Sequence, residues 1–354
     1  LLGGLAAILA AGRSIAAPAT MTAPITPAAV GAIPFPNGVT ILIAGPEGGR
    51  LGRWGDTVGA ALGDALPQGT KVHTSCIGGL DGVTGANQFD ARVPPDGSTM
   101  LLTPGAAATD WLAGDPRVHF DAGHWVPVMA GVAPAVVLVR PDLLPLTTGK
   151  PVRIAASGPV GPQLPALLGF DLLGAHLVPV FDLVEQSAAI AAFAAGKVDA
   201  VLACGPDVPN QVMRVQAAGG RTLFALGTSR GAGAPARDET FAEVPTLLEL
   251  HQTLYGSVPR GPRYEAYRAA AAATQLEFGL VLPQLTSAAM VALWRRTASQ
   301  AATEPSVQAL AAEAAVQPLE GVAAATATTG VTADTSALLD LRGWLATRFN
   351  WHPT

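Results

Sequence analysis

Three residue patterns in this chain could carry chemistry: a serine between glycines, a short histidine–aspartate run, and a series of glycine-rich loops. Gly227-Thr228-Ser229-Arg230-Gly231 has the G-x-S-x-G form of a nucleophile elbow after an apolar run. An elbow turns straight from strand into helix, so that its serine stands strained and exposed. Here Gly231-Ala232-Gly233-Ala234-Pro235 follows, which cannot start that helix. Its acid and base would have to be Asp238 with His251, or Asp340 with His352 from the tail. A hydrolase using Ser229 is the alternative reading, and no catalytic residue is assigned.

His119-Phe120-Asp121-Ala122-Gly123-His124 offers three metal donors, but no carboxylate-rich loop or H-E-x-x-H accompanies them. It reads as a solvated connection, and no metal is expected. Neither a Walker A sequence nor G-x-G-x-x-G occurs, so no nucleotide cofactor is expected either. The two cysteines, Cys76 and Cys204, form neither a disulfide framework nor a zinc site. They read as two small buried thiols. Closure of a cleft between them is the one circumstance that would bring them together.

The glycine loops remain. Gly45-Pro46-Glu47-Gly48-Gly49, Gly78-Gly79-Leu80-Asp81-Gly82 and Ser157-Gly158-Pro159-Val160-Gly161 each end an apolar run and lead into a helix. Glycine allows close approach of the backbone, and the first-turn N–H groups of a helix point outward. With the helix dipole they bind anions without Lys or Arg.

The elements that must position these loops follow from composition and pattern. The 354 residues suit two lobes, and 49% hydrophobic against 13% charged residues leaves a sizeable core. Net charge is −5 and no basic run occurs, which excludes a nucleic-acid groove. The 40 glycines and 30 prolines are too many for a helical bundle. Mean hydropathy is +0.37. The opening Leu1–Ala11 is too short to span a bilayer and, with Ser14-Ile15-Ala16, resembles the end of a secretory signal. Residues 1–17 are expected to be a signal-peptide remnant and 18–37 a flexible leader, which makes the protein exported, periplasmic and soluble after cleavage.

Strands are expected at Val39–Ala44, Lys71–Cys76, Thr99–Thr103, within Val126–Val139, and at Val152–Ala156, His176–Val180, Val198–Ala203 and Thr222–Leu226. Helices are expected at Trp54–Leu66, Gly85–Arg92, Gln163–Leu173 and Ser187–Ala195, with three more near Ala288–Ala302, Ser306–Ala315 and Ser336–Arg348. Strands alternating with helices imply mostly parallel sheets covered on both faces, with ligands at the carboxyl ends of the strands.

The order of motifs resembles the Bug family, the substrate-binding proteins of tripartite tricarboxylate transporters. Ile43-Ala44-Gly45-Pro46-Glu47-Gly48-Gly49 is similar to its first strand and loop, and Gly79–Ala86 to its G-A-G-G-x-x-G-A loop. Pro95-Asp96-Gly97-Ser98-Thr99-Met100-Leu101 matches its P-D-G-Y-T-L-L signature. Phe120-Asp121 through Trp125-Val126-Pro127-Val128, Ala195–Asp199, Arg221–Leu226 with Arg230, Val244-Pro245-Thr246 with Glu249, and Phe278-Gly279-Leu280 with Pro283 and Thr286 follow in family order. The likeness spans roughly residues 38–325.

The resemblance implies an α/β, two-lobed type 2 periplasmic-binding-protein fold, with a cleft between mixed, mostly parallel sheets flanked by helices. Lobe I would comprise 38–138 plus 246–354, and lobe II 139–245. A small organic anion, by family habit a carboxylate, would be held where the lobes close about a hinge. Membrane transporter subunits, or a sensor, would read that state, and the protein is expected to be a monomer. The ligand-binding set is Pro46, Glu47, Gly48, Gly49, Gly79, Leu80, Asp81, Gly82, Thr103 and Pro104 from one lobe. Ser157, Gly158, Val160, Gly161, Cys204 and Gly205 would face them from the other.

Departures from the pattern fall inside the site. Gly52 stands where an Asp is expected, with Asp56 displaced by Arg50-Leu51-Gly52-Arg53. Pro162 replaces a hydroxyl residue, and Asp81 adds a negative charge beside the anion. Arg50 or Arg53 could substitute as a side-chain clamp. A relative with a non-carboxylate ligand or a purely protein-binding role also fits these changes.

Overall fold

Eleven strands and twelve α-helices alternate along the described chain. They are seen in a computed structural model that describes residues 35, 37–67, 70–144, 146, 149–228 and 235–352. The expected signal remnant, most of the leader and Ser229 lie outside the described residues.

The first half begins with β1 (Val39–Ile43), α1 (Arg50–Ala65), β2 (Val72–Cys76), α2 (Val83–Arg92), β3 (Thr99–Thr103) and α3 (Gly105–Ala113). Then β4 (Val126–Val132) runs through Ala133–Ala135 into β5 (Val136–Val139), which belongs to a second sheet. The expected lobe boundary after residue 138 therefore falls inside a strand, and the chain crosses at 133–135. The second sheet is completed by β6 (Val152–Ala155), α4 (Leu164–Leu172), β7 (Leu177–Val180), α5 (Gln186–Ala194), β8 (Ala200–Ala203), α6 (Val208–Ala217) and β9 (Arg221–Ala225). The return runs through α7 (Leu247–Tyr255), α8 (Pro262–Gln275), β10 (Leu276–Leu282), α9 (Ala288–Ala302), α10 (Pro305–Ala314), β11 (Gln317–Glu320), α11 (Gly321–Thr329) and α12 (Thr335–Phe349).

The sheet orders are β11-β4-β10-β3-β1-β2 and β7-β6-β8-β5-β9. In the first, β1, β2 and β3 run parallel, and β10 lies antiparallel between β3 and β4. In the second, β6, β7 and β8 are parallel while β5 runs against both β8 and β9. Both sheets are thus mixed: most strands of each run in one direction, as the alternating pattern implied, although among the described residues five neighbouring pairs are antiparallel and four parallel. Continuous apolar runs such as Val39–Ile43 and Val136–Val139 make buried strands because both faces are covered. Phe35, placed in the leader by sequence, is buried with its ring 5.4 Å from Trp294.

Most expected helices recur within two residues of their limits, but α1 begins four residues before Trp54. Gly49 ends the tight loop and acts as its N-cap, so Arg50-Leu51-Gly52-Arg53 is the first turn of helix rather than an inserted loop. The helices α3, α6, α7, α8 and α11 were not anticipated. In α8 the alanines at 266, 269, 270, 271 and 273 are buried, and the helix packs against α3 on one side and α4 on the other. A single apolar cluster consequently runs from α3 through α8 to α4 and the second sheet. From Phe35 onward the chain forms one compact unit.

Candidate functional site

The registers fix where the loops meet. Val136, the first residue of β5, pairs with Ala203 and Ala225, the last residues of β8 and β9. Those ends therefore lie next to the crossing at 133–135, where β4 ends at Val132. The carboxyl ends of β1, β2 and β3 point the same way as that of β4. Strand ends from both sheets converge on one zone, which is where an open α/β fold binds ligands.

The six helices that follow these ends, α1 to α6, all start without a side-chain cap. Of the other six, α7, α9 and α12 are capped by Thr246, Ser287 and Asp334, while α8, α10 and α11 are uncapped as well. Uncapped first turns leave N–H groups open to a ligand. Local geometry explains several glycines. A Cβ on Gly82 would lie 2.6 Å from Pro104 Cδ, and one on Gly85 2.6 Å from Ala44 Cα, so these loops pack backbone to backbone.

The expected site residues divide by what their groups already do. Glu47, Gly48, Gly79 and Leu80 are exposed, Leu80 at 81%, and Gly49 closes its own turn by donating to the Pro46 carbonyl at 3.2 Å. Thr103 is buried and Pro104 caps α3. Asp81 already has two partners. Its Oδ1 accepts from the Val83 N–H at 3.2 Å and its Oδ2 pairs with Arg117 at 2.8 Å. Arg117 also holds Asp115 at 2.8 Å and lies 3.8 Å from Asp110. Burial, then Asp115 and Asp81, push the Asp110 carboxyl up to about 7, with Arg117 opposing.

In the second half, Ser157 is committed to Gln163, whose Oε1 accepts from its N–H at 3.1 Å and its hydroxyl at 3.0 Å. The N–H groups of Gly158, Val160 and Gly161 have no acceptor among the described residues. Pro162, which supplies no N–H, accepts from the Thr274 hydroxyl at 2.9 Å. Gln211 clips the other loop, accepting from the Cys204 N–H at 3.2 Å and donating to the carbonyls of Cys204 and Pro206. Both cysteines are free thiols. Burial pushes Cys204 up to about 12 while Arg50 opposes it.

Arg50, in the uncapped first turn of α1, is paired within the first sheet and reaches toward the second. Its Nε lies 2.7 Å from Oε1 of Glu277 on β10, a carboxylate only 2% exposed. The same oxygen accepts from the Trp54 indole N–H at 3.1 Å. Burial raises the Glu277 carboxyl, and Arg50 and Trp54 work against that rise. Arg50 remains 46% exposed, and its Nη1 passes 3.5 Å from where a Gly205 Cβ would stand. Nearby, the Asp207 N–H donates to the Ala314 carbonyl at 3.1 Å. A cavity of about 250 Å³ lies here, lined by Arg50, Arg53, Trp54, Pro206, Asp207, Leu310, Glu313 and Ala314. Of the two clamp candidates, Arg53 faces Glu313 at 3.7 Å and is more exposed. Asp56 has turned away to accept from Thr74 at 2.9 Å. The sequence did carry a signal for Glu277, a lone acid inside an apolar strand.

The groups a serine hydrolase would need have other partners. Asp238 accepts from the Thr240 N–H, His251 Nδ1 lies 2.6 Å from the Ser257 carbonyl, and Asp340 pairs with Arg263. In the histidine run, Asp121 accepts from the Gly123 N–H and lies 3.4 Å from His124 Nε2, both exposed to solvent. Among the described residues no group of three metal-binding side chains occurs, and no helix is long and apolar enough to cross a membrane.

Compared with known proteins, the chain matches no family profile and no curated sequence. Solved structures do match. A ligand-free TctC solute-binding protein from Polaromonas aligns over 88% of this chain and 99% of its own, with a TM-score of 0.65 at 17% identity. A structure described as a periplasmic transporter aligns over 90% of this chain and 100% of its own, with a TM-score of 0.52 at 17% identity. The chain shares the two-sheet fold of these proteins across nearly its whole described length.

Proposed function

We propose that the chain is a non-enzymatic solute-binding protein that captures a small organic anion between its two halves. Delivery would be to the membrane subunits of a tripartite tricarboxylate-type transporter, or to a sensor, from the periplasm. One observation carries this reading: Arg50 is held by buried Glu277 and aimed across the junction at the Cys204–Gly205 loop. The open first turn of α1 carries it, and the N–H groups of Gly158, Val160 and Gly161, without acceptors among the described residues, follow the end of β6 on the second sheet. A guanidinium fixed through one nitrogen keeps its outer edge for a carboxylate. Asp81 is engaged by Arg117, which it shares with Asp115.

A thermal-shift screen of the mature protein against mono-, di- and tricarboxylates tests this. A ligand at a hundredfold excess over Kd adds about 2.7 kcal/mol, a readily measured rise in Tm. An acid that stabilises the wild type but not Arg50→Ala supports the reading. No shift with any acid, or an equal shift in Arg50→Ala, removes it.

A further inference from the structure

Three carboxylates share one guanidinium beside the loop that follows β2. Arg117 Nη1 lies 2.8 Å from Asp81, and its Nη2 lies 2.8 Å from Asp115 and 3.8 Å from Asp110. Asp81 and Asp115 accept hydrogen bonds from it, whereas the Asp110 side chain on α3 makes none among the described residues and is only 16% exposed. One cation cannot neutralise three carboxylates, so the enclosed one without a hydrogen bond is the one that holds a proton. Its carboxyl accordingly titrates at about 7, raised first by burial and then by Asp115 and Asp81, with Arg117 opposing. No other charge faces it among the described residues. From α2, Asn87 holds the backbone at Arg117 and His119, and Asp90 holds the Trp125 indole. From α12, Arg342 binds the carbonyls of Trp111 and Leu112, and α8 packs buried alanines against α3.

The loop itself depends on this group. Gly78 and Gly82 at its ends have φ of 96° and 77°, and Leu80 at its tip is 81% exposed. Among the described residues its only side-chain hydrogen bonds are those of Asp81, whose Oδ1 accepts from the Val83 N–H and whose Oδ2 accepts from Arg117. An ionised Asp110 draws Arg117 toward α3 and repels Asp81, which loosens that anchor and adds negative charge beside the loop. We infer that Asp110 is a pH-sensitive switch on the loop Gly78–Gly82. Protonated, it leaves Arg117 to hold Asp81, and the loop keeps the shape that favours an anion. Ionised, it competes for Arg117, and binding weakens. This rests on the proposed role of the loop in holding the anion. By linkage, a bound anion strengthens the hold of Asp110 on its proton, so binding takes up protons near neutral pH.

Hydrogen exchange on the full chain without ligand, scaled for the chemical exchange rate, is the first test. It reads the Gly82 amide, bonded to the Gly79 carbonyl, and the Val83 amide, bonded to Asp81, relative to those of β5. In the wild type their protection should fall about threefold or more from about pH 6.5 to 8.5, and in Asp110→Asn it should not change. Calorimetry with acetate, benzoate and succinate at the same two pH values, where all three are ionised, is the second. The tightest binder should weaken about fivefold or more at the higher pH in the wild type and less than about twofold in Asp110→Asn. Protection that is independent of pH, or that falls equally in Asp110→Asn, overturns the switch. So does an acid that binds the wild type equally at both pH values, which leaves the anion reading standing. If none of the three acids binds, loop exchange alone decides the switch, and the anion reading is judged by its own screen.

Discussion

The hydroxyl of Thr274 donates to the carbonyl of Pro162 at 2.9 Å, tying the last turn of α8 to a loop of the second sheet. On the opposite side the same turn is wedged against α3, where a Cβ on Gly105 would lie 1.9 Å from the Ala273 carbonyl oxygen. At its other end α8 presents Arg263, which pairs with Asp171 on α4 at 2.7 Å and with Asp340 on α12. One helix therefore grips elements of both halves through buried alanines, which pack without any reserve of side-chain freedom. Separating the halves would expose that surface. Ligand binding is expected to leave the solution radius of gyration unchanged in small-angle scattering. A clear contraction on adding a binding acid would show that the halves do open and that α8 yields.

Removing Arg50 should separate binding from folding. Arg50→Ala leaves Glu277 buried without its cation, so stability should fall by roughly 1–3 kcal/mol. The loss should shrink as pH falls, because burial already raises Glu277 toward its neutral form. Adding Glu277→Gln removes the stranded charge while an amide can still accept from Trp54. The double variant should regain most of the lost Tm yet bind the acid about ten- to a hundredfold more weakly than wild type. Recovery of affinity together with Tm would mean that Arg50 serves only the fold.

What the sequence made legible was periodic and local. Strands such as Val39–Ile43 and Thr99–Thr103 stood out because they are short, apolar and bounded by Gly or Pro. The glycine loops stood out because backbone close approach needs glycine. Of the five helices that escaped notice, α3 and α8 are rich in alanine and buried on several sides, so no clear polar face alternates with an apolar one. The partners of site residues escaped for another reason. That Asp81 meets Arg117, Ser157 meets Gln163 and Arg50 meets Glu277 depends on tertiary geometry. Of these, only Glu277 announced itself, as a charge where a buried strand has no room for one.

The acidic group around Arg117 makes stability depend on pH in a direction opposite to ordinary acid denaturation. Asp110 titrates near 7 in the folded protein, against 3.8 for a free side chain, so the folded state holds its proton more tightly. Between those values the folded form binds more protons than the unfolded one, and stability falls as pH rises. The contribution is complete below about pH 4 and lost above about pH 7. Asp115 runs the other way, because its bonds to Arg117 hold its carboxyl below the usual range, and its contribution is lost only under strongly acid conditions. Asp110→Asn keeps the shape and removes the charge. It should match wild type near pH 3.5, where the carboxyl is neutral in the folded protein and largely so in the unfolded one, and be more stable at pH 8, by about 1–3 kcal/mol after solvent screening. Urea titrations of both proteins at the two pH values check this. A stability difference that is the same at both would mean that Asp110 ionises freely in the folded protein.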